Sequence, residues 1–118
     1  MILYNLISNS LKYYNKEQVN PYLKITIEAT EEQAKIQVED NGQGIDENHQ
    51  QNIFEMYYQA NNSGGGSGLG LYIVKEAIQK LCGDISMSSI VSKGTTFTII
   101  IPNRLELSEN VYISWLIR

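Results

Sequence analysis

Cysteines, basic runs and long apolar stretches are scarce in this sequence, and each scarcity narrows the range of functions. The single cysteine, Cys82, excludes an internal disulfide framework and a CxxC metal knuckle, and it suits a reducing compartment. The formal net charge is −4 without any basic run, which argues against nucleic acid and anionic membrane surfaces as partners. No apolar stretch reaches the length of a membrane span, and the N-terminus lacks the features of a signal peptide. The 118 residues predict one domain with a buried core.

A glycine run that leads into an apolar helix is the most distinctive feature present. Residues 63–70 read Ser-Gly-Gly-Gly-Ser-Gly-Leu-Gly, and apolar residues at 74, 77, 78 and 81 predict an amphipathic helix over 69–82. Glycine lets a ligand approach the main chain closely, and a helix N-terminus offers unpaired N–H groups and a partial positive charge. These residues alone allow two interpretations: a flexible linker, or a loop that binds an anion such as phosphate.

The first predicted helix, residues 2–14, combines a broad apolar side with a narrow polar stripe. Asn5, Asn9 and Lys12 are spaced at i, i+4 and i+7, so they share that stripe. The stripe is either a solvated face or a site in which the Asn9 amide oxygen binds a hard cation and Lys12 contacts phosphate. Tyr13 lies beside the stripe, where it can stack on a flat base.

Alternating apolar and polar residues predict the strands of a sheet. Strands over 23–30 and 34–40 form an antiparallel hairpin, and two more follow over 84–90 and 95–101. With a short helix at about 47–54, the predicted order is α-β-β-α-α-β-β. The economical architecture is an α+β two-layer sandwich, with a mixed, mainly antiparallel sheet and helices on one face.

An acidic residue lies where the second strand ends. Asp40 has the same parity as the inward residues of its strand, so it is predicted to face inward, where a carboxylate needs a partner. Gly42 and Gly44 follow, and Asp46 is the predicted cap of the short helix. The segment is either an ordinary Asn-Gly turn or a site for a flat ring whose exocyclic amine donates a hydrogen bond to the carboxylate.

A cluster of aromatic side chains and a methionine lies within residues 53–59, just before the glycine run. Phe54 and Met56 are either core residues or anchors for the hinge of a lid. The short helix before them is polar around His49, which predicts a solvated histidine rather than a catalytic one.

Together and in this order, these segments resemble the ATP-binding domain of two-component sensor histidine kinases, the Bergerat-type GHKL domain. The boxes of that family correspond to residues 5–13 (N box), 40–45 (first glycine box), 53–58 (F box), 66–71 (second glycine box) and 93–97 (final box). The resemblance covers residues 1–102 as one histidine-kinase-type ATP-binding domain. It implies the Bergerat fold, Mg-ATP as the ligand and a role in signal transduction by phosphorelay.

The resemblance also implies roles for individual residues. Asp40 would bind the adenine amino group, with Thr96 in support. Asn9 would hold Mg²⁺ against the phosphates, and Lys12 would contact phosphate. No residue of the chain is assigned as catalytic. The implied nucleotide-binding residues are Asn5, Asn9, Lys12, Tyr13, Asp40, Gly42, Gly44, Ile45, Phe54, Tyr58, Gly66, Gly68, Leu69, Gly70, Leu71 and Thr96, with Asn9 as the metal ligand.

Asn5 separates this sequence from other members of the superfamily. Type II topoisomerase, mismatch-repair and heat-shock chaperone ATPases place a water-activating glutamate at this position, and an amide cannot act as a general base. The resemblance therefore implies γ-phosphoryl transfer to a histidine rather than hydrolysis. The alternatives are a nucleotide-binding or interaction module without turnover, and a GHKL-type ATPase.

The phosphoacceptor histidine of the family lies upstream of the N box, inside which this chain begins. We therefore expect a fragment of a longer kinase. Its implied partners are the dimerisation domain that carries this histidine, the receiver domain of a response regulator and a second copy in a homodimer. The expected location is cytoplasmic, in a parent protein that can be anchored in a membrane. Gln59 replaces an arginine that often helps to bind phosphate in the family.

Residues 103–118 form a C-terminal extension outside the resemblance. Apolar residues alternate with others at positions 111, 113, 115 and 117. The segment is either a frayed tail or a strand that adds to the edge of a sheet, including that of another copy.

Overall fold

The computed structural model describes residues 1–59 and 68–103. The glycine run at 63–67 and the extension beyond Asn103 lie outside the described residues. The elements within them are α1 (Ile2–Lys12), β1 (Leu23–Ala29), β2 (Gln33–Asp40), α2 (Glu47–Gln50), α3 (Gly70–Lys80), β3 (Asp84–Ile90) and β4 (Gly94–Pro102). Their order is the predicted one, and the α+β class is confirmed.

The sheet has the strand order β1-β2-β4-β3. Each neighbouring pair is antiparallel, so the parallel pair that a mixed sheet requires is not found in the described part of the chain. β4 lies between β2 and β3, so both of its edges are paired, and its alternate residues Phe97, Ile99 and Ile101 face the core. The register places Asp40 at the end of β2, directly opposite Thr95 of β4.

The core lies between one face of the sheet and the two longer helices. α1 and α3 pack against each other, α1 contacts β2, and α3 contacts β3. Their apolar faces meet alternate residues of the strands, as the period-2 pattern predicts. The buried apolar residues are Ile2, Leu6, Ile36, Val38, Ile53, Val74, Ala77, Ile78, Leu81, Ile85, Phe97, Ile99 and Ile101. None of the described helices is both long enough and apolar enough to traverse a bilayer.

Strand β1 extends beyond the cover of the helices. Ile25 and Ile27 lie opposite Val38 and Ile36, so they share the core-facing side of the sheet. Both are nevertheless exposed, whereas their partners on β2 are buried. The period of β1 correctly indicates which face is apolar, but burial depends on the reach of the helices, which is a tertiary property.

The segment after β2 differs from the sequence-based expectation in two details. Asp46 does cap α2, since its Oδ1 accepts a hydrogen bond from the Asn48 N–H at 2.9 Å. The helix itself ends at Gln50, and turns with i→i+3 hydrogen bonds continue the chain. His49 is half-buried and forms a hydrogen bond with the Tyr58 hydroxyl through Nδ1, so the prediction of a solvated histidine was wrong.

Candidate functional site

A cavity of about 240 Å³ lies between α1, the end of β2 with the segment that follows it, and the start of α3. One wall is polar and comes from α1, and the opposite wall includes apolar side chains. The lining residues are Asn5, Ser8, Asn9, Lys12, Tyr13, Asp40, Gln43, Gly44, Ile45, Ile53, Tyr58, Gln59, Gly68, Gly70, Leu71 and Thr95.

The polar stripe of α1 faces this cavity. Asn5, Asn9 and Lys12 all line it, as their helical spacing allows. The Asn5 side chain is fixed at its nitrogen, which donates a hydrogen bond to the Met1 carbonyl at 2.8 Å. Its oxygen lies beside Gly70, the first residue of α3. A methyl group added at Gly70 would lie 3.3 Å from this oxygen. The stripe therefore joins the two helices across the cavity and is not an ordinary solvated face.

Asp40 is held by hydrogen bonds to both of its carboxylate oxygens. The buried Ser10 hydroxyl donates to Oδ2 at 2.7 Å, and the Gly42 N–H donates to Oδ1 at 2.9 Å. Each carboxylate oxygen has a further lone pair that can accept a hydrogen bond from a ligand. The partner that an inward-facing carboxylate requires is therefore Ser10 on α1, which the sequence analysis did not identify.

The backbone around Gly42 and Gly44 is braced on several sides. The Gln43 N–H donates to the Tyr13 carbonyl at 3.0 Å, and the Ser92 N–H donates to the Gln43 carbonyl at 2.7 Å. The Ile45 N–H donates to the Ser89 hydroxyl at 2.8 Å. The segment is thus tied to the end of α1 and to the β3–β4 hairpin, which a simple Asn-Gly turn does not require.

Thr95, the neighbour of Thr96, is the threonine that lies on the same face of the sheet as Asp40. Residues directly opposite each other in an antiparallel pair share a face, and Asp40 is opposite Thr95. Thr95 is buried, lines the cavity and shares a hydrogen bond with the Ser89 hydroxyl at 2.8 Å. Thr96 is opposite Glu39 and therefore points to the other side of the sheet.

Several other expected residues lie near the cavity without lining it. Gly42 is buried beside Asp40, and Leu69 is the N-cap of α3. Phe54 packs edge-on against Phe97, with ring centroids 6.2 Å apart, and the Lys75 ammonium lies 5.3 Å from the Phe54 centroid. Phe54 is therefore part of the core packing. Gly66 lies outside the described residues.

The structure also adds residues that the sequence analysis missed. Ser8 lies three residues after Asn5 on the same helical stripe, so the period that identifies Asn9 and Lys12 contains the signal for it. Gln43 lies between the two glycines of the first glycine box and also lines the cavity. Ile53 and Thr95 have no such local signal, because their positions depend on packing and strand register.

No group of three or more histidine, cysteine, aspartate or glutamate side chains is placed to hold a metal ion within residues 1–59 and 68–103. Among the described lining residues, Asp40 is the one carboxylate and Lys12 is the one basic side chain. A divalent cation bound here would need oxygen ligands from its counter-anion in addition to an amide oxygen. That chemistry suits an anionic ligand that brings the metal with it.

Comparisons with known proteins agree with this geometry. Residues 1–105 match the family described as histidine kinase-, DNA gyrase B-, and HSP90-like ATPase. The autoinducer 2 sensor kinase/phosphatase LuxQ of Vibrio vulnificus is 42% identical over 107 residues, which cover 86% of this chain and 12% of that protein. The sensor histidine kinase WalK of Bacillus subtilis is 37% identical over 113 residues, which cover 92% of this chain and 18% of that protein. This chain thus spans less than a fifth of these curated relatives.

Solved structures show the same likeness. The mycobacterial sensor histidine kinase MprB superposes with a TM-score of 0.72 at 25% identity, covering 85% of this chain and 68% of that one. Full-length ShkA in complex with AMPPNP superposes with the same TM-score of 0.72 at 25% identity, covering 86% of this chain and 20% of that one. The chain belongs to the histidine kinase-, DNA gyrase B- and HSP90-like ATPase family, and it is an ATP-binding domain of the sensor histidine kinase type.

Proposed function

We propose that the cavity binds Mg-ATP and that this domain transfers the γ-phosphoryl group to a histidine on a separate dimerisation domain. The observation that carries the proposal is the position of Asp40, which is fixed by Ser10 and Gly42 and faces the polar stripe of α1 across the cavity. A hydrogen-bond acceptor for a base and groups suited to phosphate thus lie at two places in one cavity. The ShkA structure, which contains AMPPNP, supports a nucleotide as the ligand.

Asp40 defines the base end of the proposed site. Its free lone pairs can accept a hydrogen bond from the exocyclic amine of adenine. Guanine presents a carbonyl oxygen at the corresponding ring position. This oxygen and the carboxylate are both hydrogen-bond acceptors, so they would repel each other. Ile45 and the backbone at Gly44 line the same part of the cavity and offer a flat surface to the ring. We therefore expect adenine nucleotides to be preferred over guanine nucleotides.

Asn9, Lys12 and the start of α3 define the phosphate end. The Asn9 side chain can supply an amide oxygen to Mg²⁺, and phosphate oxygens and water would complete the octahedral shell. Lys12 is exposed at the mouth and can reach a phosphate as a mobile point charge. Gly70 begins an 11-residue helix whose N-terminus faces the cavity, and that end of a helix favours anions.

The lining residues favour transfer over hydrolysis. Asn5 stands where a general base would be needed, and its amide cannot accept a proton from water at neutral pH. Asp40 is the one carboxylate among the described lining residues, and it is engaged by Ser10 and Gly42 at the base end. His49 forms a hydrogen bond with Tyr58 and does not line the cavity. The chemistry then depends on positioning the nucleotide and neutralising its charge.

The partners follow from this mechanism. The domain would act on the phosphoacceptor histidine of a dimerisation domain, and the phosphoryl group would then pass to the receiver domain of a response regulator. In this way the domain would serve two-component signal transduction. The net charge of −4 supports neither nucleic acid nor an anionic membrane as a direct partner.

Phosphotransfer is tested by mixing the chain with γ-labelled ATP, Mg²⁺ and a purified dimerisation domain of the histidine kinase type. We expect acid-labile phosphate on that domain, and none when its phosphoacceptor histidine is replaced by glutamine. Label that fails to transfer although ATP binds would instead indicate a nucleotide-binding module without turnover. Release of inorganic phosphate by the chain alone would indicate an ATPase.

The magnesium role of Asn9 makes a separate prediction. In Asn9→Ala we expect the enhancement of ATP binding by Mg²⁺ to fall about tenfold, equivalent to about 1.4 kcal/mol, because an amide ligand of the metal is lost. The measurement is calorimetry with a non-hydrolysable ATP analogue, with and without Mg²⁺. Asn48→Ala is the matched control, since Asn48 is an exposed asparagine of α2 that does not line the cavity. An unchanged Mg²⁺ dependence in Asn9→Ala would exclude this role.

A further inference from the structure

Three polar residues form a row across the sheet at the base end of the cavity. Asp40 on β2 lies opposite Thr95 on β4, and Thr95 lies opposite Ser89 on β3. Residues directly opposite each other share a face, so all three side chains lie on the same side of the sheet. Asp40 and Thr95 line the cavity, whereas Ser89 lies behind Thr95 and does not. Ser89 can therefore act on a bound base only through its neighbours.

The Ser89 hydroxyl has three hydrogen-bonding neighbours. Its oxygen accepts from the Ile45 N–H at 2.8 Å, it donates to the Gly94 carbonyl at 3.0 Å, and it lies 2.8 Å from the Thr95 hydroxyl oxygen. A serine hydroxyl has one hydrogen and two lone pairs. Gly94 takes the hydrogen and Ile45 takes one lone pair, so the other lone pair is left for Thr95. One arrangement thus satisfies all three neighbours, and in it Thr95 donates to Ser89.

This arrangement fixes the polarity that Thr95 presents to the cavity. Its hydroxyl hydrogen is directed at Ser89, so only lone pairs of Oγ1 remain for a ligand. The network is held from outside by Gln50, whose side-chain nitrogen donates to the carbonyls of Ile45 at 2.8 Å and Ser89 at 3.3 Å. The base end of the cavity therefore offers acceptors from two neighbouring strands, the carboxylate of Asp40 and the hydroxyl oxygen of Thr95.

We propose that Ser89 is a positioning residue that keeps Thr95 a hydrogen-bond acceptor, and that this helps the base end to select a 6-amino purine over a 6-oxo purine. The inference rests on the proposed binding of ATP in this cavity. A 6-amino group carries two hydrogens and can donate to both acceptors. A 6-oxo group carries none, so it meets two acceptors and stays unpaired. Without Ser89, the Thr95 hydroxyl can rotate and donate to that oxygen.

ATP and ITP are the probes, because ITP differs from ATP only in the 6-oxo group and the N1 hydrogen that accompanies it. Calorimetry with the full chain and Mg²⁺ gives the two dissociation constants. We expect the unsubstituted chain to prefer ATP, and Ser89→Ala to reduce that preference about tenfold, the effect of one hydrogen bond. Ser89→Ala also leaves the Ile45 N–H without its acceptor, but a general loss of order would weaken both nucleotides alike and leave their ratio unchanged.

Thr95→Val and the double variant show whether Ser89 acts through Thr95. Valine has the shape of threonine without the hydroxyl, so Thr95→Val should reduce the preference for ATP as well. Adding Ser89→Ala to Thr95→Val should then change the ratio no further. Ser88→Ala is the matched control, because Ser88 precedes Ser89 on β3, is exposed and lies on the opposite face of the strand. It should keep the preference of the unsubstituted chain.

A preference that falls in Ser89→Ala and Thr95→Val but not in Ser88→Ala supports the proposal. If Ser89→Ala does not fold, Ser89→Cys replaces it, because a thiol fills the space but accepts hydrogen bonds only weakly, and the same fall is expected. An unchanged ratio at position 89, or an equal fall with threonine and with valine at position 95, would overturn the role of Ser89 and leave the ATP site standing. Failure of the unsubstituted chain to bind either nucleotide would overturn the proposed function itself, and the role of Ser89 with it.

Discussion

Asp40→Asn is expected to weaken binding of an ATP analogue about 10- to 100-fold, the equivalent of about 1.5–3 kcal/mol for a hydrogen bond to a charged group. In the native site two donors, the Ser10 hydroxyl and the Gly42 N–H, occupy one lone pair on each carboxylate oxygen. An asparagine has only one acceptor oxygen, so its NH₂ group must face Ser10, Gly42 or the adenine amine. If the NH₂ group faces the Gly42 N–H or the adenine amine, two donors meet. If it faces the Ser10 hydroxyl, which can also accept, the amide oxygen still lacks the negative charge that strengthens the other hydrogen bonds.

Calorimetry of the variant and the unsubstituted chain with the same analogue measures this effect. Glu39→Gln is the control, because it makes the same change in charge at the residue of β2 that precedes Asp40. Glu39 lies on the opposite face of the strand. Its carboxylate accepts a hydrogen bond from the Tyr22 hydroxyl at 2.8 Å, which a glutamine oxygen can still accept. Equal affinity in Asp40→Asn and Glu39→Gln would disprove the assignment of the base end, provided that both variants retain the native circular dichroism spectrum.

Gly94→Ala is expected to cause the largest loss of stability, about 3 kcal/mol or more in the free energy of unfolding. Gly94 has φ of +134°, a conformation that alanine rarely adopts. An added Cβ would also lie 2.0 Å from the Asp40 carbonyl oxygen and 2.8 Å from the Asn41 Cα, and neither backbone atom can move away as a flexible side chain could. The displacement would shift Asp40, so nucleotide binding should fall together with stability.

Urea denaturation of both proteins gives the change in unfolding free energy. Gly70→Ala is the matched control, because Gly70 begins a helix and an added Cβ would approach only the Asn5 side chain, whose oxygen would lie 3.3 Å away. Alanine is favoured over glycine in a helix by about 1 kcal/mol, so this control should be neutral or slightly stabilising. A Gly94→Ala variant as stable as Gly70→Ala would show that the β3–β4 turn yields to the added methyl group without strain.

Local periodicity was sufficient to predict the parts of the site that lie on single elements. The stripe of Asn5, Asn9 and Lys12 follows from helical spacing, and the inward direction of Asp40 follows from strand parity. Both are confirmed, because each depends on neighbours within one helix or one strand. The α+β class follows in the same way from the order of the elements.

The parts that could not be predicted depend on how elements meet. Ser10 reaches Asp40 across 30 positions of sequence, which only the packing of α1 against β2 determines. The choice between Thr95 and Thr96 depends on the register of β4 against β2, and a shift of one residue exchanges the two faces. The exposure of Ile27 likewise depends on how far α1 and α3 extend over the sheet.

The bracing of the segment around Gln43 has a consequence for the thermodynamics of binding. Its backbone is tied to Tyr13, Ser89 and Ser92 by hydrogen bonds within the protein itself, so its conformational entropy is lost during folding and not when a ligand arrives. The base end of the cavity is therefore preorganised. Adenosine alone should already bind measurably, and the phosphates should add affinity mainly through charge and the metal ion.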